Sequence, residues 1–245
     1  MDNSQLRPPK VLGLLAHPIR WRLVKALTIS DRKVQELVET LAQPYNLVSY
    51  HLKLLRQAEI VELRKSDADS RDLYYSLKID KLQEDYQNVV HAIHPAWVLK
   101  GAGQAPVHIP PRRVLFLCTH NSARSQIAEG FLRQLGGNNY RVASAGNRPR
   151  PIHPETLAVM KEFGVDVSHQ YSKHITDLQD ESFDEVITVC DQVREACPNY
   201  EFCNPTIHWS IPDPAEISDP VERRVAFART AHEIERRIRQ FILSE

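Results

Sequence analysis

The run Val114-Leu-Phe-Leu-Cys-Thr-His-Asn-Ser-Ala-Arg-Ser125 constrains this chain more than any other segment. Four consecutive apolar residues read as a buried strand, and the Cys-x5-Arg-Ser that follows opens an amphipathic helix. A loop wrapped round a helix amino-terminus aims several backbone N–H groups at one point, where an oxyanion fits. The same field favours a thiolate at Cys118 and so makes it a nucleophile. Arg124 offers a planar fork to two oxygens of a tetrahedral anion and to charge that builds up in a transition state. Ser125 can donate a hydrogen bond to the thiolate, and Asn121 can lock the shape of the loop. Thr119, His120, Asn121, Ser122, Ala123, Arg124 and Ser125 are therefore the expected oxyanion-binding set. The simpler reading, a buried cysteine after a core strand, leaves Asn121, Arg124 and Ser125 unexplained together. The spacing of His120 fixes no role for it.

The sequence around this loop alternates. Strand-like runs at Val114–Leu117, Tyr140–Ser144 and Glu185–Val189 are separated by helical patterns at Ser122–Leu135 and Pro154–Phe163. That order predicts a parallel sheet with helices on both faces, a three-layer α/β domain. With 245 residues, two domains are expected, and a stretch rich in Gly and Pro at 99–111 reads as the linker between a domain at 1–98 and another at 112–245. Residues 1–112 hold 16 Lys and Arg against 12 Asp and Glu, a mildly basic balance compatible with nucleic acid. All four cysteines (Cys118, Cys190, Cys197, Cys203) fall in the second part, where clustered cysteines of a reducing compartment are more often catalytic or metal-binding than structural. No run approaches the length of a membrane helix and the opening residues carry no apolar leader, so a cytoplasmic protein without membrane attachment is expected.

The amino-terminal part is mainly helical. Leu15, Ile19, Leu23 and Leu27 place one face on a helix over Leu12–Leu27, Val34–Leu41 is a shorter helix, and Asn46–Ala58 carries Leu47, Leu54 and Leu55 on one side. Polar Ser49, Tyr50, His51 and Lys53 flank that side. Two β-like runs, Ile60–Arg64 and Asp72–Leu77, are joined by a polar turn, which completes a winged helix-turn-helix layout. The phrases Leu15-Ala-His-Pro-Ile-Arg20 and Val48-Ser-Tyr-His-Leu-Lys-Leu-Leu-Arg56, with the hairpin opening at Ala58-Glu-Ile-Val61, resemble the ArsR/SmtB family of regulators. The resemblance implies double-stranded DNA as partner and a homodimer formed through this domain. In that fold the third helix enters the major groove. Tyr45, Ser49 and Tyr50 would then lie near base edges, with Lys53, Arg64 and Arg71 near phosphates. A protein-interaction domain with solvated polar faces is the plainer alternative. The domain has no cysteine, so a thiolate sensor site inside it is excluded. His91 and His94, with Asp85 upstream, share one face of a helix expected over Leu82–Trp97, where histidines are more often interfacial or solvated than ligands, and no metal is expected.

The second part resembles the low-molecular-weight tyrosine phosphatase superfamily, which divides between phosphatases and arsenate reductases because phosphate and arsenate are near-isosteric. Two features favour the thioredoxin-coupled reductases. Val189-Cys-Asp-Gln-Val-Arg-Glu-Ala-Cys197-Pro198 sets Cys190 and Cys197 seven apart, like the redox pair of those enzymes. His208-Trp-Ser-Ile-Pro-Asp213-Pro214 resembles their segment bearing a general acid, here Asp213. The resemblance implies arsenate as substrate, phosphate or sulfate as competing oxyanions, no bound cofactor, and thioredoxin as external reductant. Cys118, Arg124, Cys190, Cys197 and Asp213 would be the catalytic set. Residues seven apart on an intact helix are about 10 Å apart along its axis. A disulfide needs Cα atoms within roughly 7 Å. Segment 190–197 must therefore be a loop, or unwind in each cycle.

Some positions depart from the relatives. Ala123 stands where certain relatives have a cysteine. Glu129 and Ser144 match part of a potassium site found in some relatives, but Lys173 falls where a carboxylate would be. Cys203 has no role beyond that of a free thiol. Two further readings stay open: a tyrosine phosphatase whose extra cysteines protect Cys118, and a repressor whose reductase-like domain serves as an arsenic or redox sensor.

Overall fold

The computed structural model describes residues 8–69, 71–93, 111–197 and 205–243. It contains two compact units, one amino-terminal and one carboxy-terminal. All but one residue of the expected linker at 99–111 lies outside the described residues.

In the amino-terminal unit the single helix expected at Leu12–Leu27 is two, α1 (Lys10–Leu15) and α2 (Pro18–Leu27). Pro18 has no N–H to donate and forces the residue before it out of the helical region. His17 is accordingly extended, and its Nδ1 accepts the Ile19 N–H at 3.2 Å to cap the new helix. The apolar spacing runs unbroken across the join because Leu15, Leu23 and Leu27 are buried in one core. Helix α3 (Val34–Leu41) ends on Ala42 in the left-handed region, φ 50°, and α4 (Tyr45–Gln57) follows after Pro44. The buried side of α4 is Val48, His51, Leu52 and Leu55, whereas Leu47 and Leu54, expected on it, are only half-buried. His51 is not a polar flank. Its ring lies 4.3 Å from that of His17, and burial, then the charges of His17 and Arg20, lower its pKa.

Strands β2 (Val61–Lys65) and β3 (Leu73–Leu77) form the antiparallel hairpin, with Leu63 opposite Tyr75. A two-residue strand β1 (Arg32–Lys33), which carries too little sequence to be foreseen, pairs with the other side of β3. Helix α5 (Ile79–Ile93) starts one turn earlier than the expected Leu82, and the remainder of the expected helix to Trp97 lies outside the described residues.

The carboxy-terminal unit is a four-stranded parallel sheet, order β5-β4-β6-β7, from β4 (Arg112–Cys118), β5 (Tyr140–Gly146), β6 (Glu185–Thr188) and β7 (Ile207–His208). Val114 through Cys118 are all buried, as a central parallel strand covered on both faces requires. Helices α6 (Arg124–Gly136), α7 (Pro154–Glu162) and α9 (Pro220–Leu243) pack on one another, and α8 (Asp191–Ala196) packs on β4 and β6. No helix among the described residues is long and apolar enough to cross a membrane.

This topology places the site. Strand β4 is central, its neighbours leave in opposite directions along the sheet order, and the Cys118–Ser125 loop emerges at its carboxy end, where α/β sheets bind ligands.

Candidate active site

Cys118 ends β4 and is buried, 2% exposed. Its Sγ is 2.9 Å from Ser125 Oγ and accepts the Asn121 backbone N–H at 3.2 Å, as the sequence implied for Ser125. Asn121 is the lock. It adopts the left-handed region, φ 46°, where asparagine is among the few tolerated residues. Its Nδ2 donates to Ser125 Oγ (2.9 Å) and Ser144 Oγ (2.7 Å), while Oδ1 accepts from Gln126 Nε2 (3.1 Å) and the Lys173 N–H (2.8 Å).

Distant backbone makes the loop an anion cradle. The carbonyls of Thr119, His120 and Ser122 accept N–H bonds from Arg148, Arg150 and His153. That of Asn121 accepts from Gln126 Nε2 and Ser172 Oγ. With four successive carbonyls held by neighbouring segments, loop N–H groups are left to converge on the space beside Cys118. None of the residues that hold these carbonyls stood out in the sequence. Neither did Gly146, whose role is a close approach: a Cβ there would lie 2.6 Å from Thr119 O, 2.8 Å from Cys118 O and 2.9 Å from Asn121 N. These are backbone atoms of the loop and cannot rotate aside. Gly146→Ala should cost about a hundredfold in turnover by shifting the cradle, since misplacement near 1 Å has that effect. Parallel kinetics with a phosphate ester and with arsenate check this, and unchanged kcat/KM for both would contradict it.

Arg124 heads α6 with its side chain 3% exposed. Its NH2 donates to Asp213 Oδ2 at 2.6 Å and NH1 to the Ile211 carbonyl at 2.8 Å, while buried Nε bonds to no described group. Burial works against the guanidinium, but the negative charges available at Cys190, Asp213 and Cys118 outweigh it and raise its pKa. Asp213 Oδ1 also accepts the Ala215 N–H at 3.0 Å, which fixes the carboxylate. The structure thus brings Cys118, Arg124 and Asp213 together. His120 is half-buried, and its pKa is lowered by burial first and the Arg150 guanidinium second.

Cys190 is fully buried at the N-cap of α8, with Sγ 3.3 Å from Thr119 Oγ1. Burial pushes its thiol up to about 11, against the pull of the Arg124 charge. Cys197 is the C-cap of the same helix, so the two cysteines bracket α8 and the segment is not a loop. Cys118 and Cys190 are free thiols, whereas Cys197 is disulfide-bonded, to neither of them. Cys203 lies outside the described residues.

Residues expected at a cation site do assemble, with side-chain cations beside the carboxylate. Buried Glu129 accepts from Ser144 Oγ (2.6 Å) and Arg133 NH2 (2.6 Å), and Lys173 Nζ stands 3.8 Å away. Two side-chain cations already compensate this carboxylate, so the residues present do not fit a bound potassium ion. Burial, in first place, lowers the pKa of Lys173. Among the described residues no group of three or more His, Cys, Asp or Glu could hold a metal ion. His94 and the side chain of His91 lie outside what is described.

On the amino-terminal unit, Tyr45 and Tyr50 project from α4 at 53% and 56% exposure, enough to leave both rings available to a partner. Lys53 and Arg71 are exposed and Ser49 is half-buried. Arg64, expected near a phosphate, lies 3.6 Å from buried Asp31, whose isolated carboxylate needs a counter-charge.

Comparison with known proteins bears on both units. The profile of the family described as "Low molecular weight phosphotyrosine protein phosphatase" matches residues 113–245, more than half of the chain. The chain belongs to that family. Residues 17–62 match a second profile, "Bacterial regulatory protein, arsR family". An arsenate reductase of Halalkalibacterium halodurans is 36% identical over 129 residues, 52% of this chain and 93% of its own length. One from Bacillus subtilis matches to the same extent, 36% over 129 residues, 52% of this chain and 93% of its own. A "Glutaredoxin arsenate reductase" of Synechocystis sp. is 35% identical over 114 residues, 46% of this chain and 87% of its own. Over its carboxy-terminal half this chain is therefore similar to proteins that carry the arsenate reductase name.

Proposed function

We propose that the carboxy-terminal domain reduces arsenate to arsenite and that the amino-terminal domain binds double-stranded DNA as a homodimer. The observation that carries the first part is a second buried free thiol, Cys190, set against the loop that holds Cys118. Ester hydrolysis has no use for it.

Arsenate enters the cradle and takes up the loop N–H groups and the Arg124 fork, displacing the Asp213 carboxylate. Asp213, parted from Arg124, takes up the proton that the Cys118 thiol gives up. Cys118 then attacks arsenic and forms a sulfur–arsenic bond, while Asp213 passes that proton to the departing oxygen, which leaves as water. Cys190 then attacks Cys118 Sγ. The sulfur–arsenic electron pair passes to arsenic, As(V) becomes As(III), and arsenite leaves a Cys118–Cys190 disulfide. Cys197 attacks Cys190 and expels the Cys118 thiolate, after which a dithiol protein, thioredoxin, reduces the Cys190–Cys197 bond. Cys197 must be a thiol for this step, so a cycle started from the structure described above begins with reduction of its disulfide. Phosphate and sulfate occupy the same cradle as competitors.

A reduced sample given one equivalent of arsenate and no external reductant should lose two thiols per arsenite released. Arsenite formed without thiol loss, or none formed while a phosphate ester is hydrolysed, would overturn the reading. The pH dependence follows from Cys190. A thiol near 11 is thiolate in only about one part in ten thousand at neutral pH, so arsenite release in a single turnover should rise about tenfold per pH unit between pH 6 and 9. A flat profile would mean that deprotonation of Cys190 does not limit the step.

A further inference from the structure

Helix α8 has to give up its form before its two ends can share a disulfide, so whatever pins it bears on the last step of the relay. Its first residue is pinned. Asp191 Oδ1 lies 2.9 Å from His208 Nε2, with side chains 3% and 1% exposed. Burial, the largest influence, would raise the Asp191 carboxyl, but the hydrogen bonds it accepts, that from His208 the strongest of them, together outweigh burial and hold the group below the ordinary carboxylate range. A carboxylate only accepts, so His208 Nε2 carries the proton of this bond. The other ring nitrogen, Nδ1, is 2.8 Å from Thr188 Oγ1. Thr188 and His208 end β6 and β7 and stand opposite each other in the parallel register. The imidazole is therefore braced by the sheet on one edge and grips the residue next to Cys190 with the other.

We propose that Asp191 and His208 are positioning residues, which hold Cys190 against the active-site loop until arsenite has left and whose parting sets how fast Cys190 reaches Cys197. The inference rests on the relay proposed above. One peptide bond separates the nucleophile from the pinned residue, so a fixed Asp191 confines the Cys190 backbone, and with it the 3.3 Å approach of Sγ to Thr119. Helix α8 has six residues and cannot persist on its own, because isolated helices shorter than about 12–15 residues are marginal in water. An anchor at its first turn is thus what keeps it wound, and release of that anchor is the natural first event of unwinding. A buried, hydrogen-bonded carboxylate one position from a redox cysteine fits this task better than a stabilising one, since a packed apolar pair would serve stability as well.

The test compares the full-length parent with Asp191→Ala and Asp191→Asn, the second keeping an acceptor for His208. Reduced protein is mixed with arsenate, quenched by alkylation at intervals, and mapped by mass spectrometry for each disulfide, with hydrogen exchange of α8 measured alongside. Asp191→Ala should form the Cys118–Cys190 bond at least about tenfold more slowly and exchange its α8 amides at least about tenfold faster. Transfer of that bond to Cys197 should be no slower than in the parent. Asp191→Asn should stay within about threefold of the parent on all three readings. If Asp191→Ala proves too unstable, Asp191→Ser, too short to reach His208, reads the same way. Parent-like disulfide formation and exchange in Asp191→Ala would overturn the inference. So would equal losses in Asp191→Asn and Asp191→Ala that extend to p-nitrophenyl phosphate hydrolysis, which would mark a merely structural pair. A parent that forms no Cys118–Cys190 bond with arsenate would sink the relay itself, a different result from either.

Discussion

Cys190→Ser is expected to lower arsenate turnover by about a thousandfold or more, while hydrolysis of p-nitrophenyl phosphate stays within a few-fold of the parent. The asymmetry follows from what each reaction asks of the site. Ester hydrolysis needs a nucleophile, a cradle for the equatorial oxygens and an acid for the leaving group, and Cys118, held by Ser125 and Asn121, and the Arg124–Asp213 pair supply these. Arsenate reduction needs a further electron pair to pass into arsenic. That pair is released only when a second sulfur takes over the bond to Cys118. An oxygen at position 190 would have to form a sulfur–oxygen bond instead, and it is far less nucleophilic. The substitution is close to isosteric in a site with no solvent exposure, so the loop should keep its shape. Equal losses in both reactions would show that Cys190 serves the fold and not the chemistry.

Arg124→Lys should cost about a hundredfold to ten-thousandfold in kcat/KM for arsenate and for phosphate esters alike. The guanidinium is engaged along two edges, NH2 to Asp213 and NH1 to the Ile211 carbonyl, with Nε left over inside the site. A lysine ammonium is a point charge and cannot reproduce a planar fork. It would neutralise Asp213 at best and leave the Ile211 carbonyl or the anion unserved. The expected signature is a fall in kcat together with weaker inhibition by phosphate, because ground-state and transition-state oxygens use the same donors. Unchanged phosphate inhibition alongside a large kcat loss would assign Arg124 to the transition state alone.

The cradle was legible in sequence because its chemistry is local. Cys118, Asn121, Arg124 and Ser125 lie within eight residues, and the strand and helix that hold them have clear apolar patterns. The parallel sheet was legible for the same reason, from Val114–Leu117 as a continuous apolar run and Glu185–Val189 as a strand-like run rich in β-branched residues. What escaped notice depends on partners far along the chain. The Arg148, Arg150 and His153 N–H groups that hold the loop carbonyls have no side-chain signature, and Gly146 matters only because Thr119 and Asn121 return beside it. In the amino-terminal unit the break at His17 was hidden by a spacing that continues through it. The buried side of α4 was misplaced because His51, polar on paper, packs inward on His17. For segment 190–197 the spacing allowed a loop or an unwinding helix. The structure shows a helix there, and the Asp191–His208 contact that anchors its first residue joins positions that share no sequence pattern.

In the proposed relay three cysteines carry electrons from a protein dithiol to arsenate. Its most direct test is NADPH oxidation coupled through thioredoxin and its reductase, with arsenate as the only oxidant, for the parent and for Cys197→Ser. Steady turnover is expected in the parent, one arsenite per NADPH, and a single arsenite per enzyme in Cys197→Ser, which stalls as the Cys118–Cys190 disulfide. Steady turnover by Cys197→Ser at the parent's rate, or no arsenate-dependent oxidation by a parent that hydrolyses phosphate esters, would contradict it.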